Sequence, residues 1–276
     1  MNRCRALWGE GLRPPPRWLP PLSGEGGLLR ESNITMDVPF VPSWMRQHGV
    51  VLWGVADLAG IDTPRDECGR GFPRAVSFAL PVAPEIMAGI RNGPTPAYAA
   101  EYTRLNRRID ELSGALASAI RSVGSRARAL ACSKRTDPVR LRGDFPHKTA
   151  ATRAGLGWVG RHGQLITRPF GPWVRLGTVF TDLELRPATP VERSYCGACR
   201  ICVEACPASA LKGTAWRPGV PREEILDAFA CDRFKRERYA HLNEGRNCGI
   251  CAAVCPWGVK GRNRPSRRRN PPSNDM

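Results

Sequence analysis

Apolar residues crowd two short runs, Val50 to Ala56 (VVLWGVA) and Arg74 to Leu80 (RAVSFAL). Both are short apolar runs with valine and aromatic residues, so they predict strands. A different period follows. Tyr98, Tyr102, Leu105, Ile109, Leu112, Leu116, Ile120 and Val123 recur every three or four residues, which predicts a long amphipathic helix. Thr95-Pro96 supplies an N-cap and a proline for the first turn, and Gly124 ends the helix. Ala127 to Cys132 and Val174 to Phe180 predict further strands. Between them, His147 to Ala154 reads as helix and Gln164 to Thr167 as strand. Strands alternating with helices predict an α/β domain over residues 36–190, closed by Pro187 and Pro190. Residues 191–261 hold clustered cysteines and form a second domain. Residues 1–35, rich in Pro and Gly, and the basic residues 262–276 lack any period and are expected to be disordered.

Composition changes the picture in two ways. A hydrophobic share of 42% allows a sizeable core, while no apolar run reaches membrane-spanning length and no signal peptide precedes the domain. A cytoplasmic monomer is expected. The net charge of +17 points to a polyanionic partner such as tRNA, although an arginine-heavy balance with few lysines also follows from GC-rich coding. Eleven cysteines in a reducing compartment suggest metal binding or catalysis rather than disulfides.

The cysteine spacing is the most specific signal. Cys196-x2-Cys199-x2-Cys202-x3-Cys206-Pro207 is the ferredoxin run, whose first three thiolates hold corners of one [4Fe–4S] cubane while the fourth ligates the other. Cys248-x2-Cys251-x3-Cys255-Pro256 is a shortened second run, with Cys231 between the two. Reciprocal pairing gives Cys196, Cys199, Cys202 and Cys255 for one cluster. It leaves Cys206, Cys231, Cys248 and Cys251 for the other. Zinc is the alternative for C-x2-C pairs, disfavoured by the consecutive x2 spacings and both Cys-Pro endings. Cys4, Cys68 and Cys132 remain as ordinary residues. The domain is expected to be a bacterial ferredoxin-like double [4Fe–4S] module.

Gly155-Leu156-Gly157-Trp158-Val159-Gly160 has the G-x-G-x-x-G spacing of dinucleotide loops. Such a loop follows a strand and opens a helix. Here a helix precedes and a strand follows, so the fingerprint fails in context. RAGLGWVGRHGQLIT, FGPWVRLGTVFTDLEL, CGACRICVEACPASAL, Cys231 and CGICAAVCPWG together closely resemble the epoxyqueuosine reductase family. The resemblance covers about residues 36–261. It implies a cobalamin-dependent reductase, related to reductive dehalogenases, in which two clusters pass electrons to the corrin cobalt and the epoxide oxygen of epoxyqueuosine in tRNA is removed. It also implies an external donor such as ferredoxin or flavodoxin. In that frame Gly155, Gly157 and Gly160 let backbone approach the corrin, and Trp158 shields a macrocycle face.

The sequence departs from the family where the proton donor stands. The family aspartate opens a D-x-x-P-x-x-E-R segment; without gaps, Leu141 falls at the aspartate, and His147 and Lys148 at Glu-Arg. Arg161 replaces the usual lysine. Asp144, His147 and Lys148 are therefore the candidate proton donors. Three functions compete: an epoxyqueuosine reductase, a divergent two-cluster reductase of another substrate with or without cobalamin, and a ferredoxin-like carrier with an added domain.

Overall fold

The computed structural model describes residues 40–245 and 247–258. The expected disordered ends lie outside them. In chain order the elements are α1 (Phe40–Gln47), β1 (Leu52–Asp57), β2 (Arg74–Pro81), α2 (Pro84–Ala88), α3 (Pro96–Ser122), β3 (Ala127–Ala129), α4 (His147–Arg153), β4 (Gly157–Val159), β5 (Leu165–Thr167) and β6 (Val174–Thr181). The cysteine region adds α5 (Ile201–Glu204), α6 (Arg222–Ile225), α7 (Ala228–Tyr239) and α8 (Ile250–Ala253).

The long helix starts as its sequence dictates. Thr95 Oγ1 accepts from the Tyr98 amide at 3.2 Å, and Pro96 opens the first turn. Gly124 follows the helix with φ +86°, a conformation that favours glycine. Leu105, Ile109, Leu112, Leu116 and Ile120 form the buried stripe.

Four strands form a sheet in the order β1-β2-β6-β3. The mixed α and β content is as expected, and within it every strand pair is antiparallel, an α+β rather than a parallel α/β arrangement. Residues 58–73 between β1 and β2 contain no helix, so the chain lacks the crossover that a parallel pair needs. Helices still cover both faces. Alternation along β2 sends Ala75 and Ala79 to one core with α4, Phe145 and Phe180. It sends Val76 and Phe78 to the other core with α1, α3 and Val179.

A separate hairpin pairs β4 with β5, Trp158 opposite Ile166. The cysteine region docks on the sheet domain through specific contacts. Trp173 Nε1 donates to Ala252 O at 2.8 Å, beside an apolar cluster of Met87, Ile90, Leu105 and Ala253. Arg135 donates to Asp232 on α7 at 2.6 Å, and Arg222 donates to the carbonyls of Arg140 and Leu141. No helix among the described residues is long and apolar enough to cross a membrane.

Candidate active site

A cavity of about 480 Å³ opens where the cysteine region meets the sheet domain. Cys206, Cys231, Cys248 and Cys251 all line it. Burial raises the Cys248 thiol, and Cys231 and Cys206 raise it further; Cys251 is raised by burial and by the same neighbours. The other four group apart. Burial, Cys196 and Cys199 push Cys202 up to about 11. Burial pushes Cys255 up to about 12, with Cys196 and Cys202 adding to it. Buried thiols raised in this way by burial and by neighbouring thiols need a cationic core beside them to become thiolates. An iron–sulfur cube supplies that charge, so both donor sets fit the group. The sets approach through α5, which carries Cys202, packed on α8, which carries Cys251.

Asp144, His147 and Lys148 line the same cavity. Phe145 anchors the segment in the core and α4 begins at His147, which turns these side chains toward the cysteines. Their chemistry differs. His147 uses both ring nitrogens, Nδ1 with Thr178 Oγ1 at 2.9 Å and Nε2 with Ala131 O at 3.4 Å. Burial, outweighing the Ala131 bond, lowers it to about 4, so it is neutral at pH 7. Lys148 Nζ donates to Gly163 O. Burial and then Arg222 lower it to about 8, which leaves a charged but willing proton donor at neutral pH. Asp144 stands at the rim, its side chain 42% exposed and 3.9 Å from Arg128.

The structure corrects the reading of the glycine segment. None of Gly155, Gly157, Trp158 and Gly160 lines this cavity or the neighbouring one. A Cβ on Gly157 would meet Ile166 O at 2.0 Å, so this glycine lets β4 lie on β5. A Cβ on Gly160 would meet Ile166 Cδ1 at 2.5 Å, and Gly155 turns with φ +73°. Trp158 is 1% exposed. It packs on Tyr195 (centroids 5.1 Å apart) and Trp257 (4.7 Å) in a cluster that includes Cys196 and Cys255. The segment therefore serves the first cysteine set. Close packing accounts for Gly157, whose neighbour is the Ile166 backbone, and for Gly160, whose neighbours are the Ile166 and His162 side chains.

Other cavity residues carried no motif. The Arg175 guanidinium lies 4.0 Å over the Tyr102 ring and donates to Asn106 Oδ1 at 2.7 and 3.1 Å and to Ser133 Oγ. Its hydrogen-bond partners include no carboxylate. Burial raises the Tyr102 phenol, but Arg175, Ser133 and Asn106 outweigh it and leave the phenol below its ordinary value. Gln164 Nε2 donates to Cys251 Sγ at 3.6 Å. His162, set aside in the sequence, is buried on the cavity wall, and burial with Lys148 lowers it to about 4. Arg175 and Gln164 fall in predicted strands and Tyr102 on the predicted helix stripe, but nothing in their spacing marks them as cavity residues.

A second cavity of about 820 Å³ shares Gly143, Asp144, Pro146, Lys148, Gly163 and Leu226 with the first. It adds Arg142, Arg153, Arg222 and Trp216. The 143–148 segment is thus the wall between two lobes.

A family profile described as a 4Fe-4S double cluster binding domain matches residues 195–258. The epoxyqueuosine reductase of Synechocystis sp. is 36% identical over 127 residues, 43% of this chain and 41% of that enzyme. The tetrachloroethene reductive dehalogenase of Dehalobacter restrictus is 38% identical over 122 residues, 39% of this chain and 21% of that one. The chain thus matches about two fifths or less of the length of these relatives. A solved reductive dehalogenase, described as suggesting a mechanism for B12-dependent dehalogenation, shares the fold with a TM-score of 0.62 at 20% identity, over 84% of this chain and 34% of that one. An epoxyqueuosine reductase solved with an epoxyqueuosine-modified tRNA stem loop gives 0.51 at 20% identity, over 80% of this chain and 64% of that one. The chain is thus similar over part of its length both to epoxyqueuosine reductases and to reductive dehalogenases, and it contains a 4Fe-4S double cluster binding domain.

Proposed function

We propose that the protein is a two-cluster iron–sulfur reductase that removes the epoxide oxygen of epoxyqueuosine in tRNA. The observation that carries this reading is the cavity itself, whose wall joins four cysteines to Lys148, Tyr102 and Arg175. Removing an epoxide oxygen as water takes two electrons and two protons. Two one-electron clusters hold the electrons. Cys196, Cys199, Cys202 and Cys255 form the outer set, and Cys206, Cys231, Cys248 and Cys251 deliver at the cavity.

Cobalamin suits the two-lobed space. Tyr98, Leu130, Leu165 and Leu176 would hold the macrocycle, and Arg142 and Arg222 its amides and phosphate. When bound, its cobalt supplies a strong reductant at low potential. Lys148 holds the proton for the departing oxygen, since its lowered basicity makes donation easy. Neutral His147 orients the wall by bonding Thr178 and Ala131. Arg175 offers positive charge where a leaving oxygen becomes anionic. The tRNA finds a cationic chain of net charge +17.

A second reading, reduction of a small electrophile other than a nucleoside, is favoured by one observation. Asp144 faces Arg128 at the rim, while Tyr102 and Arg175 occupy the cavity wall. The test is a single anaerobic turnover of reduced, cobalamin-supplied protein with an epoxyqueuosine-modified stem loop. Loss of one oxygen atom from the nucleoside, with reoxidation of both clusters, is expected. Clusters that stay reduced beside intact epoxide would overturn the first reading; reoxidation by a chlorinated ethene in their place would support the second.

A further inference from the structure

The outer cysteine set reaches the surface, and its surroundings are not neutral. Cys199 is exposed, as are its neighbours Gly197, Ala198 and Arg200. Ile201 beside them is 44% exposed, one of few large apolar side chains left in solvent. Arginines surround this small apolar patch. The guanidinium groups of Arg168 and Arg193 lie 5.0 and 4.9 Å from the ring centre of Tyr195, the residue before Cys196. Arg161 donates to Gly197 O at 2.6 Å, and Arg200 follows Cys199 directly. Among the described residues none of these four arginines has a salt bridge, whereas many other arginines do. The acidic residues of the 192–204 stretch are Glu192 and Glu204 alone.

We infer that this face is the docking surface of an acidic, one-electron carrier protein, and that electrons enter the molecule here. The inference rests on the two-cluster reading above and adds the point of entry and the partner's chemistry. Arg168, Arg193 and Arg200 are exposed, and guanidiniums without a carboxylate partner attract an acidic rim and steer encounter. The apolar centre at Ile201 and Ala198 gives the partner a dry contact close to the cluster. A nucleic-acid backbone would gain nothing from that centre. The step is simple in balance. The donor's reduced cofactor loses one electron, the cluster held by Cys196, Cys199, Cys202 and Cys255 gains it, and no bond or proton moves. The second set then carries the electron inward to the cavity, so entry and chemistry lie at opposite ends of one path.

The test uses the full chain, purified anaerobically, with iron counted first. An acidic flavodoxin in its hydroquinone form is the probe, and stopped-flow absorbance reads the second-order rate of cluster reduction. The combined Arg168→Glu, Arg193→Glu and Arg200→Glu variant should lose at least tenfold in rate at low salt, and the difference should shrink at high salt. Arg168 and Arg193 also hold Tyr195, so Arg200→Glu and Ile201→Glu are measured singly and each should slow reduction several-fold. Arg46→Glu on α1 should match the wild type. Dithionite should reduce every variant to the same cluster spectrum. Equal rates and equal salt slopes in wild type and variants would overturn the inference. So would a triple variant that keeps its flavodoxin rate but loses binding of a tRNA stem loop, which would assign the face to nucleic acid. Protein with no iron would instead sink the two-cluster reading, and the docking inference with it.

Discussion

Gly157→Ala tests the reassigned role of the glycine segment. The added Cβ would lie 2.0 Å from Ile166 O, 2.9 Å from Ile166 C and 3.2 Å from Thr167 Cα. All three atoms are backbone of the paired strand, so no side chain can swing aside. The first contact is about 1.4 Å short of the 3.4 Å at which ordinary contact begins. β4 must therefore lift from β5, and Trp158, the next residue, loses its seat against Tyr195 and Trp257. Overpacking of this kind costs about 1–3 kcal/mol, and a backbone clash belongs at the upper end. At about 3 kcal/mol the unfolding midpoint falls by roughly 6–12 °C for a chain of this size. Gly114→Ala on α3 is the matched control, since its Cβ meets nothing within 4 Å. It should stabilise by about 0.5–1 kcal/mol and raise the midpoint by roughly 1–4 °C. The assay is thermal unfolding by circular dichroism, with iron per chain measured on the same samples. Gly157→Ala should also lose iron from the first set. A Gly157→Ala protein that melts with the wild type and keeps its iron would refute the reasoning.

Lys148→Met should slow a single turnover by about 10²–10⁴-fold, the usual worth of a positioned acid. The wild-type rate should fall as pH rises past about 8, where Lys148 loses its proton, and the variant should lack that limb. Gln164→Leu removes a donor to Cys251 Sγ. A hydrogen bond favours the more negative, reduced cluster, so its loss should lower the second cluster's potential by roughly 40 mV, the equivalent of about 1 kcal/mol per electron. Redox titration followed by electron paramagnetic resonance reads this, with iron content unchanged. His147 and His162 stay neutral down to about 4 when folded, but take a proton near 6.5 when unfolded. The unfolded chain binds more protons between those values, so stability is full above pH 6.5 and falls as pH drops toward 4. Urea midpoints across that range should flatten by about one proton in His147→Gln.

Much of the fold was legible because its signals are local. The stripe from Leu105 to Ile120 needs only a helical period, and Thr95 and Gly124 bound the helix by their own conformational preferences. The double-cluster domain was legible for the same reason, since the cysteine spacing within each run is local. Strand direction was not. The alternation of strand and helix patterns carries no record that residues 58–73 lack a crossover, so the antiparallel sheet had to be seen. The glycine segment misled because its constraint comes from Ile166, a partner across the hairpin, which spacing cannot reveal. Arg175, Tyr102 and Gln164 were invisible for a related reason. Each gains its role from a neighbour distant in the chain, Arg175 from Asn106 69 residues away and Gln164 from Cys251 87 residues away.

The most direct measurement is the iron, sulfide, zinc and cobalt content of the protein purified without oxygen from cobalamin-supplied cells. The account predicts about eight irons and eight sulfides per chain, as two [4Fe–4S] clusters require, with one cobalt and no zinc. Zinc in place of iron, or about four irons with one cysteine set empty, would contradict it.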